Sequence, residues 1–164
     1  MTKIVIVNEK NEVIGSKERM QVHAPDIYRT TGLWITNSKG EILLAQRSFQ
    51  KVHDPGKWGP AVSGTVEEGE SYEDNIVKET EEEIGLTGVD FIEGPIFRTK
   101  GEHSRFSKWF FLKIDLDISG FKLQKEELEQ AKWFSKEELL KEIGSHPERF
   151  NKSIPDRLKQ FMDK

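Results

Sequence analysis

Apolar and polar positions alternate in short runs through the first third of the chain, and that alternation predicts strands joined by tight turns. Lys3 to Val7 and Glu12 to Ser16 are apolar or alternating runs parted by Asn8-Glu-Lys-Asn11, the pattern of a hairpin. Ile27 to Thr36 and Glu41 to Gln46 flank Asn37-Ser-Lys-Gly40, where Asn and Gly tolerate positive φ, so a second hairpin follows. Arg47 to Lys57 lapses into a polar loop ending in Asp54-Pro-Gly-Lys57, and Trp58 to Val66 reads as a short strand entering a glycine turn. The period changes at Ser71. Ser71 is a good N-cap, Asp74 three residues on completes an approximate capping box, and Tyr72, Ile76, Thr80 and Ile84 recur at helical spacing up to Gly85. Val89 to Phe97 and Lys108 to Leu116 then read as strands, Ser135 to Ile143 as a helix opened by Ser135 and two glutamates, and a last short helix starts near Pro155. Thr99 to Ser107 and Ser119 to Lys125 remain as loops, where specificity can reside. No repeat or linker interrupts the pattern, so one domain over residues 1–164 is expected.

Composition narrows the chemistry. With no Cys in the chain, disulfides and thiolate metal sites are excluded, and any metal must be hard and held by oxygen. Ile4 to Val7 is too short an apolar run for a signal-peptide core or a membrane span, so a cytoplasmic location without a membrane partner is expected. Net charge is −4, but Gly64 to Leu86 holds nine acidic residues against the single base Lys78 and is −8 by itself, leaving +4 elsewhere. A stable nucleic-acid partner is not expected, because no basic patch dominates.

On the helix opened at Ser71, Glu79, Glu82 and Glu83 stand at i, i+3 and i+4 and gather on one face near its C-terminal end. Each like-charge pair at that spacing costs an exposed helix about 0.2–0.5 kcal/mol, and the negative end of the helix dipole adds to the cost. A divalent cation reverses both effects. Clustered carboxylates without Cys or His match the oxygen preference of Mg²⁺ or Mn²⁺, which bind phosphate oxygens at the same time. The plainer reading is a solvated acidic face.

The full segment Gly64-Thr-Val-Glu-Glu-Gly-Glu70-Ser-Tyr-Glu-Asp-Asn-Ile-Val-Lys78-Glu79-Thr-Glu-Glu82-Glu83-Ile-Gly85-Leu86 resembles the signature of the Nudix hydrolases. That signature is Gly, five residues, Glu, seven residues, Arg-Glu, an aliphatic residue, any residue, Glu-Glu, any residue, Gly and an aliphatic residue. Gly64, Glu70, Glu79, Glu82, Glu83, Gly85 and Leu86 match; Lys78 replaces Arg, and Thr80 replaces an aliphatic residue. Lysine keeps the charge but loses the planar two-point hydrogen bond that would orient Glu79, and Thr80 is expected to loosen packing slightly.

The resemblance implies an α/β fold, a Nudix-like α/β/α sandwich with a mixed β-sheet between helices and the Gly64 to Leu86 loop and helix at one edge. It implies Mg²⁺, with Mn²⁺ as an alternative, held by Glu79, Glu82, Glu83 and the backbone of Gly64, and Glu70 pairing Lys78 as a brace. A further ligand or base often comes six residues before a Trp. Glu127 fills that place before Trp133, with Glu126 and Glu129 as alternatives, and the plainer reading is an acidic turn. Glu79, Glu82 and Glu127 are therefore the candidate catalytic residues, with Glu79 or Glu127 as the base.

The run Leu43-Leu-Ala-Gln-Arg47-Ser and Pro55-Gly-Lys-Trp58 are similar to the subgroup containing isopentenyl-diphosphate isomerases, which makes Arg47 and Lys51 candidates for diphosphate contact. That isomerase uses a cysteine where this chain has Ser63, so isomerisation would need other machinery. The resemblance thus implies a hydrolase cleaving a diphosphate linkage, in a nucleoside diphosphate joined to another group. The alternatives are an isomerase-like enzyme and a non-catalytic nucleotide sensor. A small-molecule diphosphate is the expected partner, and a homodimer is compatible with the sequence.

Overall fold

In the computed structural model, which describes residues 2–164, β1 (Lys3–Val7) and β2 (Val13–Glu18) form the first hairpin. Asn8 closes its turn by accepting the N–H groups of Lys10 and Glu12, and Asn11 takes φ 60°, the left-handed region that Asn tolerates. The second hairpin joins β3 (Ile27–Thr36) to β4 (Ile42–Arg47). Asn37 repeats the device of Asn8, accepting Lys39 N–H and Glu41 N–H. Trp58 to Val66 is two short strands, β5 (Trp58–Pro60) and β6 (Val62–Thr65), because β5 pairs with β4 while β6 crosses to β3.

Strand β3 organises the sheet. One edge runs parallel to β8 (Arg105–Lys113) along its length, from Tyr28 opposite Arg105 to Thr36 opposite Lys113. The other edge is shared in sequence by β1, β6 and β4. Strand β7 (Ile92–Thr99) pairs antiparallel with β8, and β9 (Leu128–Phe134) pairs antiparallel with β4. The result is a mixed sheet with one core on each face.

Alternation along the strands divides the two cores. Leu33, Ile35, Leu43, Ala45, Phe110 and Leu112 face α1 (Tyr72–Ile84), which buries Tyr72, Ile76, Thr80 and Ile84. Trp34, Ile42, Leu44, Trp109 and Phe111 face α2 (Lys136–Ser145) and α3 (Ser153–Gln160), meeting Leu139, Ile154, Leu158 and the nearby Phe161. The architecture is the expected α/β/α sandwich. One detail differs: α1 lies across the face of β3 and β6 instead of along a sheet edge, because its four-residue apolar stripe packs on the buried centre.

Three boundaries also move. Strand β7 begins at Ile92, β8 at Arg105, and the last helix at Ser153, with Asn151 Oδ1 accepting Ser153 N–H just ahead of it. The predicted loop Thr99 to Ser107 is thereby shortened, since the polar start of β8 is fixed by pairing to Tyr28 and Arg29, not by its own composition. Among the described residues no helix is long and apolar enough to cross a membrane.

Candidate functional site

Helix α1 starts with a complete capping box. Ser71 Oγ accepts Asp74 N–H, and the Asp74 carboxylate accepts Ser71 N–H, each at 3.0 Å. Gly85 ends the helix in the left-handed conformation, φ 72°, with its N–H returned to the last turn. These two ends fix the rotation of the helix, and with it the face that carries the glutamates.

Strand β6 brings the polypeptide backbone against that face. Ser63 and Gly64 lie opposite Gly32 and Thr31 of β3, and Ser63 N–H donates to Glu83 Oε2 at 3.0 Å. Gly64 is pressed close to α1: a Cβ there would lie 2.5 Å from Glu79 Cγ and 2.8 Å from Asn75 Oδ1. Glycine is required at this position by contact, not by backbone angle.

Asn75, to which the sequence reading gave no role, is the buried hub of the loop and helix. It is 0% exposed, accepts Thr31 Oγ1–H at 2.6 Å, and donates from Nδ2 to Thr65 O at 3.0 Å and to Glu70 Oε1 at 3.1 Å. A polar residue beside Ile76 on the buried stripe was the available signal. Glu70 also accepts Glu67 N–H at 2.8 Å and pairs with Lys78 at 2.6 Å, while Lys78 reaches Glu67 at 3.2 Å. Burial alone would raise the Glu70 pKa, but Lys78 and the N–H donors outweigh it and hold the carboxylate below its ordinary value. Thr80 is fully buried, and its hydroxyl donates to Ile76 O at 2.6 Å, so this departure from the aliphatic pattern leaves no polar atom unpaired.

Glu79 and Glu83 are perturbed in the opposite direction. Burial, followed by the Glu82 charge, raises Glu79 to about 7. Burial raises Glu83, which is 7% exposed, well above its ordinary value; the Ser63 N–H opposes that, and Glu79 and Glu127 add to it. Glu82 is exposed on the next turn. Among the described residues no three carboxylates or imidazoles already converge as a metal-binding group. The donor set nevertheless suits a hard divalent cation, since Glu79 lies against Gly64 and Glu83 against Ser63 N–H, and both resist carrying uncompensated charge, while Glu82 faces a separate depression on the exposed side of the same helix.

These shifts make stability depend on pH. In the folded protein Glu79 binds its proton near pH 7, against 4.5 for an ordinary glutamate, so between those values the folded state holds more protons than the unfolded one. Stability therefore falls as pH rises through that window. Glu70, shifted down, acts below it and does not mask the trend. In a chelating buffer, urea unfolding is expected to show the protein more stable at pH 5.5 than at pH 8, by roughly 1 kcal/mol after allowance for solvent screening. Saturating Mg²⁺ should flatten or reverse the difference; a chelated protein more stable at pH 8 contradicts the assignment.

Arg47 and Glu127 border a cavity of about 130 Å³ that extends across Gly32 and is lined also by Ser63 and Glu83. Arg47 Nε donates to His53 O at 2.9 Å, leaving its position beside the cavity stabilised from the following loop. Lys51 does not border the cavity; it pairs with Glu127 at 2.7 Å. Of the alternatives to Glu127, Glu126 lies with Glu82 at a separate shallow depression, and Glu129 is exposed on β9. Trp58 packs edge-on against Phe134, its ring centroid 5.4 Å away, under the loop that carries Lys51.

Comparison with known proteins places this geometry in context. The NUDIX domain family model matches residues 27–155. An uncharacterised Nudix hydrolase of Yersinia pestis is 34% identical over 135 residues, which cover 82% of this chain and 73% of that protein. Among solved structures, DR0079 of Deinococcus radiodurans superposes with a TM-score of 0.83 at 21% identity, covering 96% of this chain and 98% of its own. The NUDIX domain of NrtR of Shewanella oneidensis, solved with ADP ribose, has a TM-score of 0.59 at 15% identity, covering 76% and 82%.

Proposed function

The chain belongs to the Nudix family and is a hydrolase of diphosphate bonds, and from that premise we propose that it is Mg²⁺-dependent and acts on a nucleoside diphosphate joined to another group. The observation that carries this reading is the close approach of Gly64 to Glu79 and the hydrogen bond from Ser63 N–H to Glu83, which set strand β6 against the acidic helix face beside the cavity. In this reading residues 1–164 act as one domain. Mn²⁺ is an acceptable substitute by the same donor chemistry.

Glu79, Glu82, Glu83 and the Gly64 carbonyl would hold the cation, which would supply charge compensation for the nonbridging phosphate oxygens and a lowered pKa for the attacking water, so that hydroxide is available near neutral pH. Glu79 is assigned as the group that accepts the proton, since it lies against Gly64 and makes no salt bridge among the described residues. Glu127 is held by Lys51 instead, and Arg47, held by His53 O at the same rim, is the cation that positions the diphosphate. Glu70 and Lys78 keep the loop closed on α1.

ADP ribose bound to a distant structural neighbour makes nucleoside diphosphate sugars the first substrates to try. Nucleotide sugars, dinucleoside polyphosphates, nucleoside triphosphates and isopentenyl diphosphate should be offered with Mg²⁺ to the wild type and to Glu82→Gln. Mg²⁺-dependent release of two phosphorylated products by the wild type, lost in the variant, supports the reading. Tight binding with no turnover would favour a sensor, and formation of dimethylallyl diphosphate an isomerase.

A further inference from the structure

The cavity continues past the glutamates to the β8 side of Gly32, where its lining changes character. Glycine at 32 lets the Trp109 indole lie against the strand, for a Cβ there would meet the ring at 3.0 Å. Beyond it the wall is formed by Arg105 at the start of β8 and Arg157 of α3. Arg157 is only 9% exposed. Its guanidinium carbon stands 3.7 Å over the Phe97 ring and 5.5 Å from that of Trp109, and one terminal nitrogen donates to Gln160 Oε1 at 2.6 Å.

Two donors on this wall have no acceptor. Arg157 Nε and Trp109 Nε1 are both buried without a hydrogen-bond partner; Trp34 Nε1, the third such atom, belongs to a residue that does not border the cavity. A buried donor left unpaired is costly, and both groups can only donate. Arg105 and Arg157 also make no salt bridge among the described residues, whereas Arg98 and Arg149 are paired with Glu9 and Glu142. Burial lowers the Arg157 pKa, Asp156 opposes this, and neighbouring Arg105 lowers it further, so the two cations repel each other across this wall.

From these groups we infer that the β8 side of the cavity is a subsite for a phosphoryl group on the arm of the substrate remote from Arg47. The Arg105 and Arg157 guanidinium groups, with the Ser107 hydroxyl beside them, supply what a tetrahedral oxyanion accepts. Size agrees: at about 130 Å³ the cavity is near the ~150 Å³ that admits benzene, enough for a phosphoryl group. The preferred substrate is then a diphosphate whose second arm ends in a phosphate. The position of this group relative to the scissile bond rests on the hydrolase reading above; its binding does not.

The test titrates inorganic phosphate, then ribose 5-phosphate, into protein held in a chelator, following the side-chain N–H resonances of Arg157 and Trp109 by ¹H–¹⁵N NMR. Both resonances should move together and saturate, and binding should weaken at least tenfold in Arg157→Gln and in Arg105→Gln, with melting temperatures reported for each. Arg157→Lys should recover part of it. Resonances that stay fixed in the wild type overturn the inference, as does equal binding by Arg105→Gln in a folded state. Acetate or malonate moving them as strongly as phosphate overturns the phosphoryl assignment. Because no turnover is involved, phosphate binding without hydrolysis of any diphosphate would count against the hydrolase reading alone.

Discussion

Replacing Glu79 by glutamine is expected to lower kcat by about 10²–10⁴-fold, the usual contribution of a positioned general base, with a much smaller change in KM. Glutamine keeps the shape of the side chain against Gly64 but can neither accept the proton nor carry charge toward a cation. The same substitution removes a carboxyl that burial and Glu82 push up to about 7. The variant should therefore be at least as stable as the wild type in chelator at pH 8, which separates a catalytic defect from a folding one. Glu127→Gln provides the contrast. It breaks the 2.7 Å pair with Lys51 at the cavity rim, and an effect within about tenfold is expected, because a half-buried pair that water still reaches contributes modestly and the residue holds Lys51 instead of reacting. Steady-state kinetics on one diphosphate substrate decides the matter: a larger loss from Glu127→Gln than from Glu79→Gln would transfer the role of base to Glu127.

Gly64→Ala should disturb the site directly. The added methyl would lie 2.5 Å from Glu79 Cγ and 2.8 Å from Asn75 Oδ1, closer than carbon and oxygen tolerate. Asn75 has little room to yield, since it is fully buried and holds Thr31, Thr65 and Glu70 at once. Glu79 must move instead. Overpacking of this kind costs about 1–3 kcal/mol, and displacing a reacting group by 1 Å can cost roughly a hundredfold in rate. A hundredfold fall in kcat/KM with a raised Mg²⁺ requirement is expected. Gly15→Ala on β2, where a Cβ meets nothing within 4 Å, is the control and should behave as the wild type. If the two alanine variants were equally active, the close approach of β6 to α1 would have no bearing on catalysis.

What could be read from the residues alone was whatever is encoded locally. Asn8, Asn37 and Gly40 mark the two hairpin turns, and Ser71, Asp74 and Gly85 bracket α1, because turns and caps are satisfied by neighbours a few residues away. The alternation of β3 also declares its two buried faces. The start of β8 was hidden for the opposite reason: Arg105 to Ser107 is polar and becomes strand through parallel pairing with Tyr28 to Thr30, some 77 residues earlier in sequence. Strand β7 likewise takes its bounds from pairing with β8, from Ile92 opposite Phe111 to Thr99 opposite Arg105, with a register shift between Glu93 and Ile96 at Gly94 and Pro95.

The site divides along the same line. Glu79, Glu82 and Glu83 follow from helical spacing, and Glu70 with Lys78 from the fixed gaps of the Nudix signature. Asn75 and Arg157 did not, since each derives its importance from tertiary contact: Asn75 by joining β3, β6 and the loop, Arg157 by folding back from the C-terminal helix onto Phe97 and Trp109. Lys51 was expected at the diphosphate and is found one step removed, neutralising Glu127. Lysine at 78 in place of arginine is compatible with the brace because its single ammonium is met by two carboxylates, Glu70 and Glu67, from one loop.

The central claim is that water, made reactive at the Glu79, Glu82 and Glu83 face, attacks phosphorus. Hydrolysis in ¹⁸O-enriched water, with the best substrate of the diphosphate panel and products resolved by mass spectrometry, tests it most directly. The account predicts one ¹⁸O in the phosphoryl group of a single product, at a rate that collapses in chelator and in Glu82→Gln. Label in a carbon-bound hydroxyl, or undiminished turnover after the cation is removed, would contradict it.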